Sequence, residues 1–161
     1  MRLSRESEYG LEGLRVLASG SEGAVMLLQD IAEAGGLPER FLAKIFQKLA
    51  RQHVVRSHRG AVRGYSLERP GDAITMREIL EAIEGPGLFE RCAFWPSRCN
   101  AETPCVIHRQ WGEMLRPTLR EILEAITLAQ VAAEPARSLG TLARRAVAGG
   151  RQQAHNRSGA Q

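Results

Sequence analysis

The sequence predicts a mainly α-helical, winged helix-turn-helix fold with a two-stranded wing and a long C-terminal dimerisation helix. Three observations predict it. Two amphipathic helical segments meet at Gly35-Gly36, and the second is basic on its outer side. A glycine-punctuated pair of short strands follows directly, and an apolar stripe runs from Trp111 to Ile126.

Taken in order, Ser4 is a candidate N-cap for a helix running to about Ala18, with Tyr9, Leu11, Leu14, Leu17 and Ala18 on one side. Ser19-Gly20-Ser21-Glu22-Gly23 breaks it. A second helix is predicted near Met26 to Ala34, ending at Gly35-Gly36, whose permissive backbone suits a tight turn. Pro38, tolerated in a first turn, opens a third helix reaching about Gln52. There Phe41, Leu42, Ile45, Phe46 and Leu49 follow the helical spacing and leave Arg40, Lys44, Lys48 and Arg51 outside. Two helices with a short glycine turn, the second basic outward, make the helix-turn-helix pattern.

Residues 53–57 and 65–67 read as two strands around Gly60 and Gly64, a hairpin with a basic tip. A hairpin behind such a helix is a wing. Arg59 and Arg63 are placed to enter a minor groove, whose negative potential favours guanidinium. His53 and His58 sit on the same wing and are read as lying near DNA, not as metal ligands. Residues 74–84 form another helix, with Thr75 and Glu78 spaced as a capping box and Gly85-Pro86-Gly87 as its stop.

A long helical stretch is predicted from near Ile107 to Thr127, kinked at Pro117, with Trp111, Leu115, Leu119, Ile122 and Ile126 along one stripe. So small a head offers little surface to cover that stripe, which favours a second subunit over intramolecular core. From Pro135 onward five arginines stand without an acid, a composition expected of a largely disordered tail. The chain thus divides into a winged-helix DNA-binding domain (1–84), a cysteine-bearing loop (85–108), a dimerisation helix (109–133) and a basic tail (134–161).

The net charge is only +4, but its placement is uneven. Between Pro38 and Tyr65 stand seven cations (Arg40, Lys44, Lys48, Arg51, Arg56, Arg59 and Arg63) against Glu39, leaving 15 basic and 17 acidic residues elsewhere. That is the footprint of a polyanion-binding element, although a solvated helix face would carry similar charge. No apolar run reaches the roughly 18 residues a membrane helix needs. Glu6 stands where a signal peptide would begin its apolar stretch, so a cytoplasmic location is expected. No catalytic dyad spacing, glycine-rich phosphate loop or paired carboxylate motif supports an enzyme.

Cys92, Cys99 and Cys105 are spaced C-x6-C-x5-C, and His108 follows three residues later. An odd trio within fourteen positions is a poor disulfide framework. Thiolates are soft ligands that select zinc or iron–sulfur clusters. The tight CxxC knuckles of structural zinc are absent, and Phe94, Trp95 and Pro96 could form an apolar shell around a cluster. By spacing alone an iron–sulfur cluster, zinc, and a redox-active or inert thiol set all remain open.

Four stretches resemble the Rrf2 family of transcription regulators, which includes iron–sulfur, nitric oxide and iron sensors. They are Met1-Arg2-Leu3-Ser4 leading to Tyr9; Leu37-Pro38-Glu39-Arg40-Phe41-Leu42 with Ile45 and Leu49; Arg59-Gly60-Ala61 with Gly64-Tyr65-Ser66-Leu67; and Ile74-Thr75 through Glu84-Gly85-Pro86. With the cysteines, they cover about residues 1–130. The family's usual wing has paired glycines before the tyrosine, where this chain has Arg63, making the tip bulkier and more basic.

The resemblance implies a homodimer on a palindromic double-stranded DNA operator, with Arg40 and Lys44 reading bases and Arg59 in the minor groove. Lys48, Arg51 and Arg56 are then expected on phosphates, which position without specifying sequence. It also implies an iron–sulfur cluster (2Fe-2S or 4Fe-4S) on the three cysteines. His108 matches the family's histidine-ligated two-iron site, and Glu8 the position from which a partner subunit's carboxylate ligates a four-iron cluster. The alternatives are a solvent-facing helix-start histidine and a surface charge. The expected function is cluster-controlled operator binding. The alternative is a cluster-free regulator answering to a small molecule or partner protein.

Overall fold

The structure is a computed structural model and describes residues 3–60, 63–92, 94–95, 97–99 and 102–134. Ser4 caps α1 (Arg5–Ala18) by accepting from the Ser7 amide, and Glu6 and Glu8 face the positive end of the helix dipole. Two glycines set how closely the other helices approach. A Cβ at Gly10 would lie 2.5 Å from Ile83 Cδ1, and one at Gly13 2.8 Å from Leu42 Cδ1. Without those side chains α3 (Glu39–Arg51) and α4 (Met76–Glu84) close onto α1.

Helix α2 (Leu28–Gly35) begins two residues later than its periodicity suggests. The cause is a pair of backbone bonds between Met26 and Tyr65, 2.9 Å each way, which hold Met26 extended against the wing. Gly36 ends α2 in the left-handed region at φ 63°. The wing is β1 (Val55–His58) paired antiparallel with β2 (Gly64–Leu67), Val55 opposite Leu67 and His58 opposite Gly64. Tyr65 meets Phe46 edge-on at 5.1 Å, so the wing is seated on the core beneath α3. Leu14, Ile31, Leu42, Phe46, Ile74 and Ile79 are wholly buried at the centre. Thr75 and Glu78 form the expected capping box of α4.

Phe41 does not join this core. It is 59% exposed, because it lies about 80–100° around α3 from Leu42 and Leu49. The C-terminal helical stretch runs without a break over residues 106–125, close to the expected 107–127, and ends short of a dimerisation helix to 133. It consists of α5 (Val106–Gln110), a π turn (Trp111–Leu115) and α6 (Arg116–Ala125). Pro117 has no N–H to continue the α ladder, and the Arg116 amide bonds to the Trp111 carbonyl five residues back. The expected kink is therefore a widened turn.

At Ile126 the chain leaves the helix and runs extended beside Ile74–Met76, with bonds of 2.9 Å from Met76 N to Ile126 O and from Leu128 N to Ile74 O. Helix α7 (Leu128–Ala133), capped by Thr127 and Gln130, then packs back on α1, burying Leu128 completely. The stripe divides accordingly. Ile126 packs against the core, while Leu115 and Ile122 stay about half-exposed beside exposed Val106, Ile107 and Met114. The predicted tail from Pro135 lies outside the described residues. Among the described residues no helix is long and apolar enough to cross a membrane.

Candidate nucleic-acid interface and metal centre

Helix α3 presents Arg40 and Lys44 to solvent, one turn apart on the same side. Arg59 and Arg63 are exposed at the wing tip, and none of these four cations has an ion pair among the described residues. A groove of about 480 Å³ lies between the start of α2 and the wing, lined by Leu27, Gln29, Glu39, Arg59, Arg63 and Tyr65 among others. Gly64 positions the wing beside it. Its φ is 144°, and a Cβ there would overlap the Met26 carbonyl.

The other expected contacts are engaged within the chain. Lys48 pairs with Glu6 of α1 and donates to the Ile83 carbonyl at 3.3 Å, so it points toward α1 and α4 instead of outward. Arg56 pairs with Glu68 at 2.6 Å, and its guanidinium holds the Glu68 carboxyl below the usual range. Arg51 is exposed, its Nε donating to the Gln47 carbonyl at 3.2 Å. His58 contacts Ser66 Oγ at 2.8 Å, which occupies one ring nitrogen locally. His53 is exposed and left-handed at φ 56°, just after α3.

The second site gathers the thiols. Cys92 lies beyond the glycine stop of α4, Cys99 in the loop, and Cys105 at the N-cap of α5, where its sulfur accepts from the His108 amide at 3.3 Å. The ligand atoms of Cys92, Cys99 and His108 all lie within 4.8 Å of one another, and all three residues are buried. Cys105 Sγ is 3.9 Å from Cys92 Sγ, and its amide donates to Cys99 Sγ at 3.2 Å. All three cysteines are free. Glu8 is exposed on α1 and is not in this group.

The thiols differ in acidity. The Trp95 amide, donating at 3.4 Å, holds the Cys92 thiol below its usual range against the opposing effect of burial. At Cys99 the Cys105 amide also favours the thiolate, but burial and the neighbouring thiols outweigh it and push that pKa up. Three sulfurs and an imidazole from the loop and the start of α5 form a soft, nitrogen-completed donor set, which fits an iron–sulfur cluster or zinc and does not suit a hard cation.

His108 has partners on both sides, which its position in the sequence did not signal. Nδ1 lies 3.1 Å from Cys99 Sγ, and Nε2 lies 2.8 Å from Arg116 Nη2. Arg116 in turn bonds Glu90 at 2.5 Å, and Glu90 also pairs with Arg120. Helical spacing does not bring residues 108 and 116 together, whereas Gly112 and Pro117 were the available signs of an irregular turn between them.

A family model described as Rrf2, iron-dependent transcriptional regulator, matches residues 3–134. A candidate HTH-type transcriptional regulator of Mycobacterium tuberculosis is 36% identical over 132 residues, covering 82% of this chain and 81% of that protein. The HTH-type transcriptional regulator IscR of Escherichia coli is 28% identical over 131 residues, covering 81% and 80%. Among solved structures, CymR, the global cysteine regulator of B. subtilis, superposes with a TM-score of 0.67 at 28% identity, covering 84% of this chain and 99% of that one. T. potens IscR superposes at 0.62 with 27% identity, covering 81% and 85%. These relatives are described as transcriptional regulators, not enzymes.

Proposed function

Because the chain belongs to the Rrf2 family of DNA-binding transcriptional regulators, we propose that it is a cytoplasmic, homodimeric regulator whose operator affinity is set by an iron–sulfur cluster. The observation that carries this reading is the convergence of Cys92, Cys99 and His108 within 4.8 Å, with Cys105 3.9 Å from Cys92. Cys92, Cys99 and Cys105 hold the cluster, and His108 is the fourth ligand this convergence favours. Glu8 of a partner subunit is the competing candidate. When bound, the cluster supplies a group sensitive to iron supply, redox state and nitric oxide.

On the DNA side, Arg40 and Lys44 read base edges in the major groove, where a good bidentate pair discriminates by about 1–3 kcal/mol. Arg59 and Arg63 enter the minor groove, and Arg51 lies on phosphate. Lys48 and Arg56 can add phosphate contacts only at the cost of their pairs with Glu6 and Glu68. The exposed apolar residues Val106, Ile107, Met114, Leu115 and Ile122 form the dimer face, which fixes the spacing of two recognition helices on a palindrome. The thiol loop leads directly into that face, so loss of the cluster alters the spacing.

Anaerobic purification tests the proposal. Native mass spectrometry should find iron and sulfide on the dimer, and the loaded and unloaded proteins should differ in affinity for a selected palindrome at one salt concentration. Equal affinities refute cluster control. A second reading is a regulator without a cluster that answers to a small molecule or partner protein; CymR, similar in fold, is a global cysteine regulator. Colourless protein without iron would support it.

A further inference from the structure

The contacts of His108 define which nitrogen carries its proton. A guanidinium has only donors, so Nε2 facing Arg116 at 2.8 Å must be the acceptor. The ring proton is then on Nδ1, where it is donated to Cys99 Sγ at 3.1 Å. In that tautomer Nδ1 has no lone pair free for a metal.

A neutral histidine that ligates through Nδ1 carries its proton on Nε2 and needs an acceptor there, most often a carboxylate or carbonyl. Arg116 cannot accept. The carboxylate beside it is Glu90, already bonded to Arg116 at 2.5 Å and paired with Arg120. Resting on the cluster reading above, we propose that Arg116 and Glu90 are alternative partners of His108 Nε2. Arg116 takes it when Nδ1 bonds Cys99, and Glu90 takes it when Nδ1 is a ligand. The proton moves from Nδ1 to Nε2, the imidazole stays neutral, and no proton is gained or lost overall.

Three features of the chain build this exchange. In an α-helix, residues eight apart sit about 80° apart around the axis. The wider π turn at Trp111–Leu115 winds back part of that offset and swings Arg116 toward His108. Gly112 leaves the space: a Cβ there would stand 3.2 Å from Arg116 Nη2. The Nε atoms of Arg116 and Arg120 are buried without partners among the described residues, so Glu90 supplies these guanidiniums' carboxylate bonds here. Arg116 and Arg120 both belong to α6, so a change of partner at His108 is also a change of restraint on that helix.

Full-length protein labelled with ¹⁵N-histidine provides the test. In the metal-free wild type, His108 should show the Nδ1–H tautomer by ¹⁵N NMR. Arg116→Met should lose it, and Arg116→Lys, which keeps a donor, should retain it. After anaerobic reconstitution with iron and sulfide, visible absorbance is followed under a chelator. Arg116→Met should hold its colour severalfold longer than wild type, and Glu90→Leu, which leaves no acceptor, should lose it about tenfold faster, the low end of what outer-shell partners of a metal ligand are worth. An Nε2–H tautomer in metal-free wild type overturns the proposal, as do unchanged lifetimes in both variants. Wild type that takes up no iron overturns the cluster reading and this proposal together, whereas iron uptake with the wrong tautomer overturns only the exchange.

Discussion

Ser7→Ala probes how α1 is seated on the end of α4. Ser7 is fully buried and its Oγ donates to Glu84 Oε1 at 2.6 Å. The same oxygen accepts from the Ser4 amide at 2.9 Å and Ser4 Oγ at 2.5 Å. Glu84 is the last residue of α4, where the helix dipole disfavours a carboxylate, so these donors offset an unfavourable position. Burial works to raise its pKa, but the bonds from Ser4 and Ser7 and the charge of Lys48 prevail and hold it below the usual range. A hydrogen bond to a charged group is worth about 1.5–3 kcal/mol, and solvent screening of half-buried Glu84 brings the expected loss to about 1–2 kcal/mol. At about 2–4 °C per kcal/mol for a chain of this size, Tm at pH 7 should fall by roughly 2–8 °C. Because the folded pKa lies below the unfolded value of about 4.3, this stabilisation is full above that pH and fades as pH falls through the folded value. Thermal melts followed by circular dichroism should therefore show a gap between wild type and variant that is widest near neutrality and narrows in acid. A variant that melts with or above wild type at pH 7, or a gap that stays constant into acid, refutes the account.

His53 occupies a left-handed position at φ 56° that costs a side-chain-bearing residue about 1–2 kcal/mol, so His53→Gly should raise Tm by a few degrees in the same melts. Arg59→Ala should weaken DNA binding and reduce the salt slope by about one in a titration against a selected palindrome, whereas Lys48→Ala should cost less affinity because Lys48 is already paired with Glu6. Cys92→Ala should abolish visible absorbance and cluster-dependent regulation; an unchanged spectrum would remove Cys92 from the ligand set.

Local signals make much of the head legible in the sequence. The Ser4 cap, the Gly36 turn and the Thr75–Glu78 box each depend on residues within one turn of one another, and each stands where its pattern places it. What periodicity misses is set by contacts distant in sequence. Helix α2 is shortened by the Met26–Tyr65 bridge, and the C-terminal helix is ended by Ile126 pairing beside Ile74–Met76. Phe41 reads as core because spacing alone cannot tell the edge of an apolar face from its centre. At the thiol site the candidate ligands are visible as residue types. The partners of His108 are not, because Arg116 reaches it only through a change of helical pitch that has no compositional signature beyond Gly112 and Pro117.

The course of α6 supplies a physical connection between the thiol loop and the recognition helix. At its start α6 holds Arg116 against His108 and Glu90; near its end Arg77 of α4 pairs with Glu124, and Ile126 is bonded to Met76. Helix α4 packs on α3 and on α1, with Ile83 against Gly10. A rearrangement at the thiols that reached α6 would not meet a free helix end: it would turn α6 against α4 or be taken up within the π turn, whose bonding register has a tighter α alternative. Proximity by itself does not establish coupling; an element with two discrete arrangements is required. The segment Trp111–Leu115 is the candidate for such an element, since it lies between the turn of α5 that carries His108 and the exposed apolar side chains Leu115 and Ile122 that two subunits would share.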